Sequence, residues 1–98
     1  MARIYKNIST QDTHDLIVKK ENVSGDISKI TIANHDDTDT NVVQLHLFDG
    51  ASTTYVIAEA SIPPRATLVL DDNLSYDGGK YSLRLTTSST ADTTVIIK

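Results

Sequence analysis

Three histidines, eleven aspartates and many serines and threonines supply the raw ingredients of hydrolytic chemistry. A serine hydrolase needs a nucleophile, an imidazole base and an orienting carboxylate held in one geometry. His14-Asp15 and His35-Asp36 are sequence neighbours, but neighbours along a strand point to opposite faces, and no Gly-x-Ser-x-Gly elbow is present. The histidines therefore read as solvated loop residues, with His46 on the exposed face of its strand. No catalytic residue is assigned, and the chain is expected not to be an enzyme.

The sharpest local feature is Asn34-His35-Asp36-Asp37-Thr38-Asp39-Thr40-Asn41, where oxygen-bearing side chains crowd a loop between two strands. Asp37, Asp39 and Asn41 have the spacing of the first three ligands of an EF-hand calcium loop. The sixth position is Val42 instead of glycine and the twelfth is Phe48 instead of glutamate, which rejects that motif. A looser divalent-cation site would use Asp36, Asp37 and Asp39, joined by Asp71, Asp72 or Asp77 from another loop. A solvated polar turn is the favoured reading, so no metal-ligating residue is assigned.

Nucleotide chemistry finds no support, because Gly25, Gly50, Gly78 and Gly79 are turn punctuation and not a phosphate-cradling loop. Net charge is −4, and the basic residues are scattered apart from Lys19-Lys20 beside Glu21. Phosphate neutralisation needs clustered lysine and arginine, so nucleic acid is not an expected partner. Sugar binding lacks its usual aromatic platform, with only Tyr55 and Tyr76 available for a small contact. No cofactor-binding residue is assigned, and no cofactor is expected. Asn7, Asn22 and Asn73 each open an Asn-x-Ser sequon, read as coincidences of an Asn- and Ser-rich chain.

The elements that would carry these residues are strands. Ile30 and Ile32 alternate with polar or small neighbours, as do Val43, Leu45 and Leu47, each placing one side of a strand inward. Asp49-Gly50 supplies the positive φ of a hairpin turn into a β-rich segment from Thr53 to Ala60. Pro63-Pro64 ends that segment and makes the chain turn or cross. Ala66, Leu68 and Leu70 form the next alternation, Asp71 to Gly79 a loop, then Tyr81, Leu83 and Leu85 a strand, and Thr93 to Ile97 a closing one. Val42, Val69 and Ile96 fall on the opposite phase from the core and are candidates to face a partner.

Ile4 to Ile8 and Asp15 to Val18 are further strand candidates, with Ser9 to Asp12 and Ser24 to Asp26 as connections. Residues 1–26 are therefore set apart as an N-terminal strand or arm region. Residues 27–98 form the sandwich, with one domain overall. The expected fold is all-β, a single antiparallel β-sandwich, immunoglobulin-like or jelly-roll-like, of about seven to eight short strands with a possible N-terminal arm.

Composition agrees with this. A chain of 98 residues suits one domain. With no tryptophan and one phenylalanine the core must be aliphatic and thin, which favours burial against copies of itself or a partner. The absence of cysteine removes disulfide and thiolate-metal staples, and the polar start Met1-Ala2-Arg3 lacks a signal peptide's apolar stretch. Synthesis in the cytoplasm is expected. No run of about 18 apolar residues exists, so no membrane-spanning helix is expected.

Ile62-Pro63-Pro64-Arg65-Ala66-Thr67-Leu68-Val69-Leu70, then a glycine-bearing loop and Tyr81-Ser82-Leu83-Arg84-Leu85-Thr86, resemble small β-sandwich structural proteins of tailed-phage virions. Ile30-Thr31-Ile32-Ala33-Asn34 and Val43-Gln44-Leu45-His46-Leu47-Phe48 look like the matching earlier strands, and the likeness spans residues 27 to 98. The resemblance implies a non-enzymatic particle component working in many copies. Its expected partners are the major capsid protein or neck and tail proteins, together with copies of itself. A head decoration or cement protein is the leading expectation, and a neck or tail accessory protein the next. A calcium-assisted adhesion or glycan-binding module built on Asp36 to Asn41 is the alternative from another class. An N-terminal arm would predict that removing Met1 to Ile8 weakens attachment while sparing the fold.

Overall fold

Alternating apolar and polar residues form strands here because each pleated segment can bury one face and hydrate the other. The computed structural model describes residues 4–19, 25–52, 54–71 and 73–98. Lys20, Glu21, Asn22 and Asp72, singled out in the sequence, lie outside the described residues.

Ten strands occur among the described residues: β1 (Ile4–Ile8), β2 (Thr13–Ile17), β3 (Gly25–Ile27), β4 (Ile30–Asn34), β5 (Asn41–Phe48), β6 (Thr54–Ile62), β7 (Ala66–Leu70), β8 (Leu74–Tyr76), β9 (Ser82–Thr87) and β10 (Thr93–Ile97). Two four-stranded sheets have the orders β1-β10-β4-β7 and β2-β9-β5-β6, and β3 with β8 makes a two-stranded third. All pairs are antiparallel. The fold is an antiparallel β-sandwich.

The pairing is nested. Strand β5 pairs with β6, β4 with β7, β3 with β8, β2 with β9 and β1 with β10. One long hairpin has thus been rolled up, and the roll closes through β10 on β4 and β9 on β5. That is the winding of a jelly roll and not the immunoglobulin arrangement.

The expected seven to eight strands become ten because Gly25–Ile27 and Leu74–Tyr76, read as connections, pair with each other. Three residues are too few to display an alternation, so this pair is set by the roll and not by local pattern. Ile4–Ile8 is paired to β10 over five residues and ends in Ile8, which is buried in the core.

The core lies between the large sheets, where Ile30, Ile32, Val95 and Ile97 meet Val43, Leu45, Leu83 and Leu85. Chain reversals follow the turn chemistry of the sequence. Gly50 closes the β5–β6 turn with φ 92°. Pro63-Pro64-Arg65 carries the chain from one sheet to the other, with Ala66 N–H donating to Pro63 O and Arg65 at φ 63°.

Candidate functional site

The loop between β4 and β5 is built from its own side chains. Asp36 Oδ2 accepts the backbone N–H groups of Thr38 (3.1 Å) and Asp39 (2.9 Å). These amides, Asp39's foremost, hold the Asp36 carboxyl below the usual aspartate range. Asp37 forms an exposed ion pair with Arg65 at 2.9 Å. Among the described residues, no three histidine, aspartate or glutamate side chains converge in a way that could hold a metal ion.

Beneath that loop lies a buried polar lock. Asn34 Nδ2 donates to Asp39 O (2.8 Å) and Ile62 O (2.9 Å), and its Oδ1 accepts from Asp36 N–H. Asn41 Nδ2 donates to Thr93 Oγ1 (2.9 Å), and Ser88 N–H donates to Asn41 Oδ1. Thr87 Oγ1 donates to Thr10 O at 2.6 Å. Four connections, at residues 9–12, 35–40, 63–65 and 88–92, meet at this end of the roll, and the asparagines and threonines fasten them to one another.

The histidines are dispersed. His14 pairs opposite Leu85, whereas Asp15 pairs opposite Arg84, so the two occupy opposite faces. His14 Nε2 lies 3.3 Å from Thr10 O and 3.4 Å from Thr87 Oγ1, and His35 Nε2 lies 3.4 Å from Asn7 Oδ1. His46 corrects an expectation. It lies on the outward face of its sheet yet is only 5% exposed. Its row is crowded: Arg84 and Val56 flank it in the ladder, and the Arg84 guanidinium rests 4.2 Å from the Phe48 ring centre while bonding Asp15 at 2.6 Å. Burial, reinforced by the Arg84 charge and opposed by the Gln44 backbone, lowers the His46 pKa. Its Nδ1 has no hydrogen-bond partner among the described residues.

What the fold does assemble is surface. Tyr5, Ile96, Thr31 and Val69 stand opposite one another in successive pairings and form a single outward row across β1, β10, β4 and β7. Tyr5 and Val69 are exposed and Ile96 is half-buried. The adjacent row, Asn7, Thr94, Ala33 and Thr67, is mostly polar, with Thr94 Oγ1 donating to Asn7 Oδ1. Val69 and Ile96 were legible in the sequence as out-of-phase apolar residues. Tyr5 joins them only through the β1–β10 register. Val42, grouped with them by phase, lies on the other sheet, opposite Ser61.

A second apolar surface follows the free side of β6, where Tyr55, Val56 and Ile57 are exposed. The ladder to β5 shifts between Leu45 and His46, leaving Ile57 as the extra residue of a bulge. Beside it a cavity of about 240 Å³ enters between the sheets, lined in part by Ile27, Leu45, Ile57, Leu70 and Leu74.

Fold and surfaces define an antiparallel β-sandwich that presents apolar rows on a sheet face and on a strand edge. No family model matches the chain, and no curated protein matches it. Among solved structures it is similar to the Anabaena sensory rhodopsin transducer, at 12% sequence identity over 100% of this chain and 97% of that one, with a TM-score of 0.49.

Proposed function

We propose that this chain is a non-enzymatic structural protein of a tailed-phage virion, a decoration or cement protein that binds the head in many copies. It is made in the host cytoplasm and acts on the particle, with the major capsid protein as its partner. The observation that supports this reading is the outward row of Tyr5, Ile96, Thr31 and Val69, which crosses all four strands of one sheet. A rigid sheet presenting an apolar stripe beside a mostly polar row suits docking on a flat protein surface. Each copy contributes a modest contact, and a lattice of copies multiplies it.

Purified virions from the native source test the assignment. The chain is expected there in lattice-like copy number on heads, and its absence from virions overturns the proposal. Recovery on necks or tails would move the same protein to those sites and remove the head role. In co-sedimentation with heads, wild-type protein is expected to saturate, and Tyr5→Ser combined with Val69→Ser to lose at least about tenfold in affinity.

A further inference from the structure

We propose that the cavity between the β6 and β7 edges binds a small uncharged molecule, aliphatic over most of its length and of about six to ten carbon atoms, with its one polar group at the mouth beside Asn73. The site uses neither the outward row of Tyr5 and Val69 nor a second copy of the chain, so it stands independently of the virion role.

The sandwich closes unevenly along its two flanks. At the flank of β1 and β2, Ile8 and Leu16 are buried, and Lys6 Nζ ties the two edges by donating to Asp15 O at 2.9 Å. At the flank of β6 and β7, the inward residues Ala58, Ala60, Leu68 and Leu70 are only half-buried. Alanine is the reason on the β6 wall. Ala58 stands opposite Leu45 and Ala60 opposite Val43, so β6 turns methyl groups inward where its neighbour carries full aliphatic side chains. Side chains that short cannot span the ~10 Å between packed sheets. The bulge then brings Ile57, 38% exposed, to the rim of the gap.

The space left is about 240 Å³, walled by Ile30, Leu45, Ala58 and Leu70 of the large sheets and by Ile27 and Leu74 of the β3–β8 pair. Protein interiors pack as densely as organic crystals and leave few voids larger than a water molecule, so a recess of this size beside the core is a departure from ordinary packing. An apolar cavity of ~150 Å³ takes up benzene. In proportion, this one receives a guest of up to about ten carbon atoms.

The walls select the chemistry of the guest. Among the described lining residues none is charged, and Asn73, exposed at the mouth, is the one with a polar side chain. An ion would lose its hydration there and meet no counter-charge, which excludes charged ligands. Water is a poor occupant, because it needs roughly two to four polar partners. An aliphatic guest instead supplies the contacts that the short β6 side chains leave unmade. A carboxamide both donates and accepts hydrogen bonds, so Asn73 can receive a hydroxyl or amide at the end of that guest. Apolar walls with one polar group to fix orientation are the usual constitution of a small-molecule site.

Titration with n-octanol, followed through the methyl NMR signals, reads the outcome. In the wild-type protein the methyls of Ile30, Leu45, Leu70 and Leu74 are expected to shift saturably while that of Ile96, on the outward face, stays in place. Octanoate at neutral pH is expected to bind at least ~tenfold more weakly than octanol. Ala58→Leu builds the guest's bulk into the wall, and is expected to melt at or above the wild-type temperature while weakening octanol binding at least ~tenfold. Leu70→Phe fills the same space from β7 and is expected to weaken octanol binding likewise. Co-sedimentation of Ala58→Leu with heads is expected to match wild type, so the cavity and the virion role fail separately. No saturable shift at the solubility limit of octanol, equal affinity for octanoate, or undiminished binding by both filled variants overturns the proposal. So does a large fall in the melting temperature of Ala58→Leu, since overpacking would show that the room is not there.

Discussion

Asn34 is 1% exposed and makes three hydrogen bonds that join β4, the aspartate loop and the end of β6. Replacing it with alanine leaves the buried Ile62 carbonyl without that donor, a loss that costs more than the net value of a hydrogen bond. Asn34→Ala is expected to lower unfolding free energy by about 2–3 kcal/mol, read as a lower urea midpoint at unchanged slope. His46 adds a pH dependence of definite sign. Burial lowers its pKa in the folded state, whereas the unfolded chain titrates near the ordinary 6.5. Between those two values the unfolded state binds more protons, so stability falls as pH drops through about 6.5 and this contribution levels off below the folded-state pKa. His46→Gln is expected to flatten that part of the stability profile, measured by urea unfolding between neutral pH and pH 5.

At the level of elements, β1 matters most for how truncations are interpreted. A detached arm would be dispensable to the fold, but Ile4–Ile8 pairs with the central strand β10 and sends Ile8 into the core. Removing residues 1–8 is expected to cost at least about 3 kcal/mol, because a buried isoleucine and a five-residue ladder are lost together. Thermal melting of the truncated chain checks this. Weak attachment by such a truncation would then reflect loss of fold as well as loss of Tyr5. The β4, β5, β7, β9 and β10 segments were legible in the sequence because alternation over five or more residues marks a half-buried strand without reference to its partner. The β3–β8 pair was not legible, since its three-residue strands are joined only by the rolling of the whole chain.

For the whole molecule, nested pairing sets the order in which contacts can form. Among the paired strands, β5 and β6 are the two that follow each other directly in the chain, and each further pair of the roll spans a longer stretch of chain. Closing the longer loops first costs more entropy, so folding is expected to start at the β5–β6 hairpin and proceed outward to β1–β10. Leu45→Ala, expected to destabilise by about 2–5 kcal/mol, should therefore slow refolding. Ile8→Val should act mainly by accelerating unfolding. Stopped-flow refolding and unfolding in urea distinguish the two, and equal partitioning in both variants would remove this folding order.

The sequence by itself determined that the chain is an antiparallel β-sandwich, where its principal strands run, and that Asp49-Gly50 and Pro63-Pro64 reverse it. Those properties depend on side-chain period and turn chemistry, which are local. It also showed that Val69 and Ile96 point away from the core. Only the tertiary structure decided that Tyr5 completes their row, that Val42 belongs to the other sheet, and that His46 is buried beside Arg84 and Phe48. The same holds for the aspartate loop, whose carboxylates bind the loop's own amides and Arg65. Each of these depends on which strands become neighbours, and neighbours are chosen by the rolling of a long hairpin and not by the pattern of any one segment.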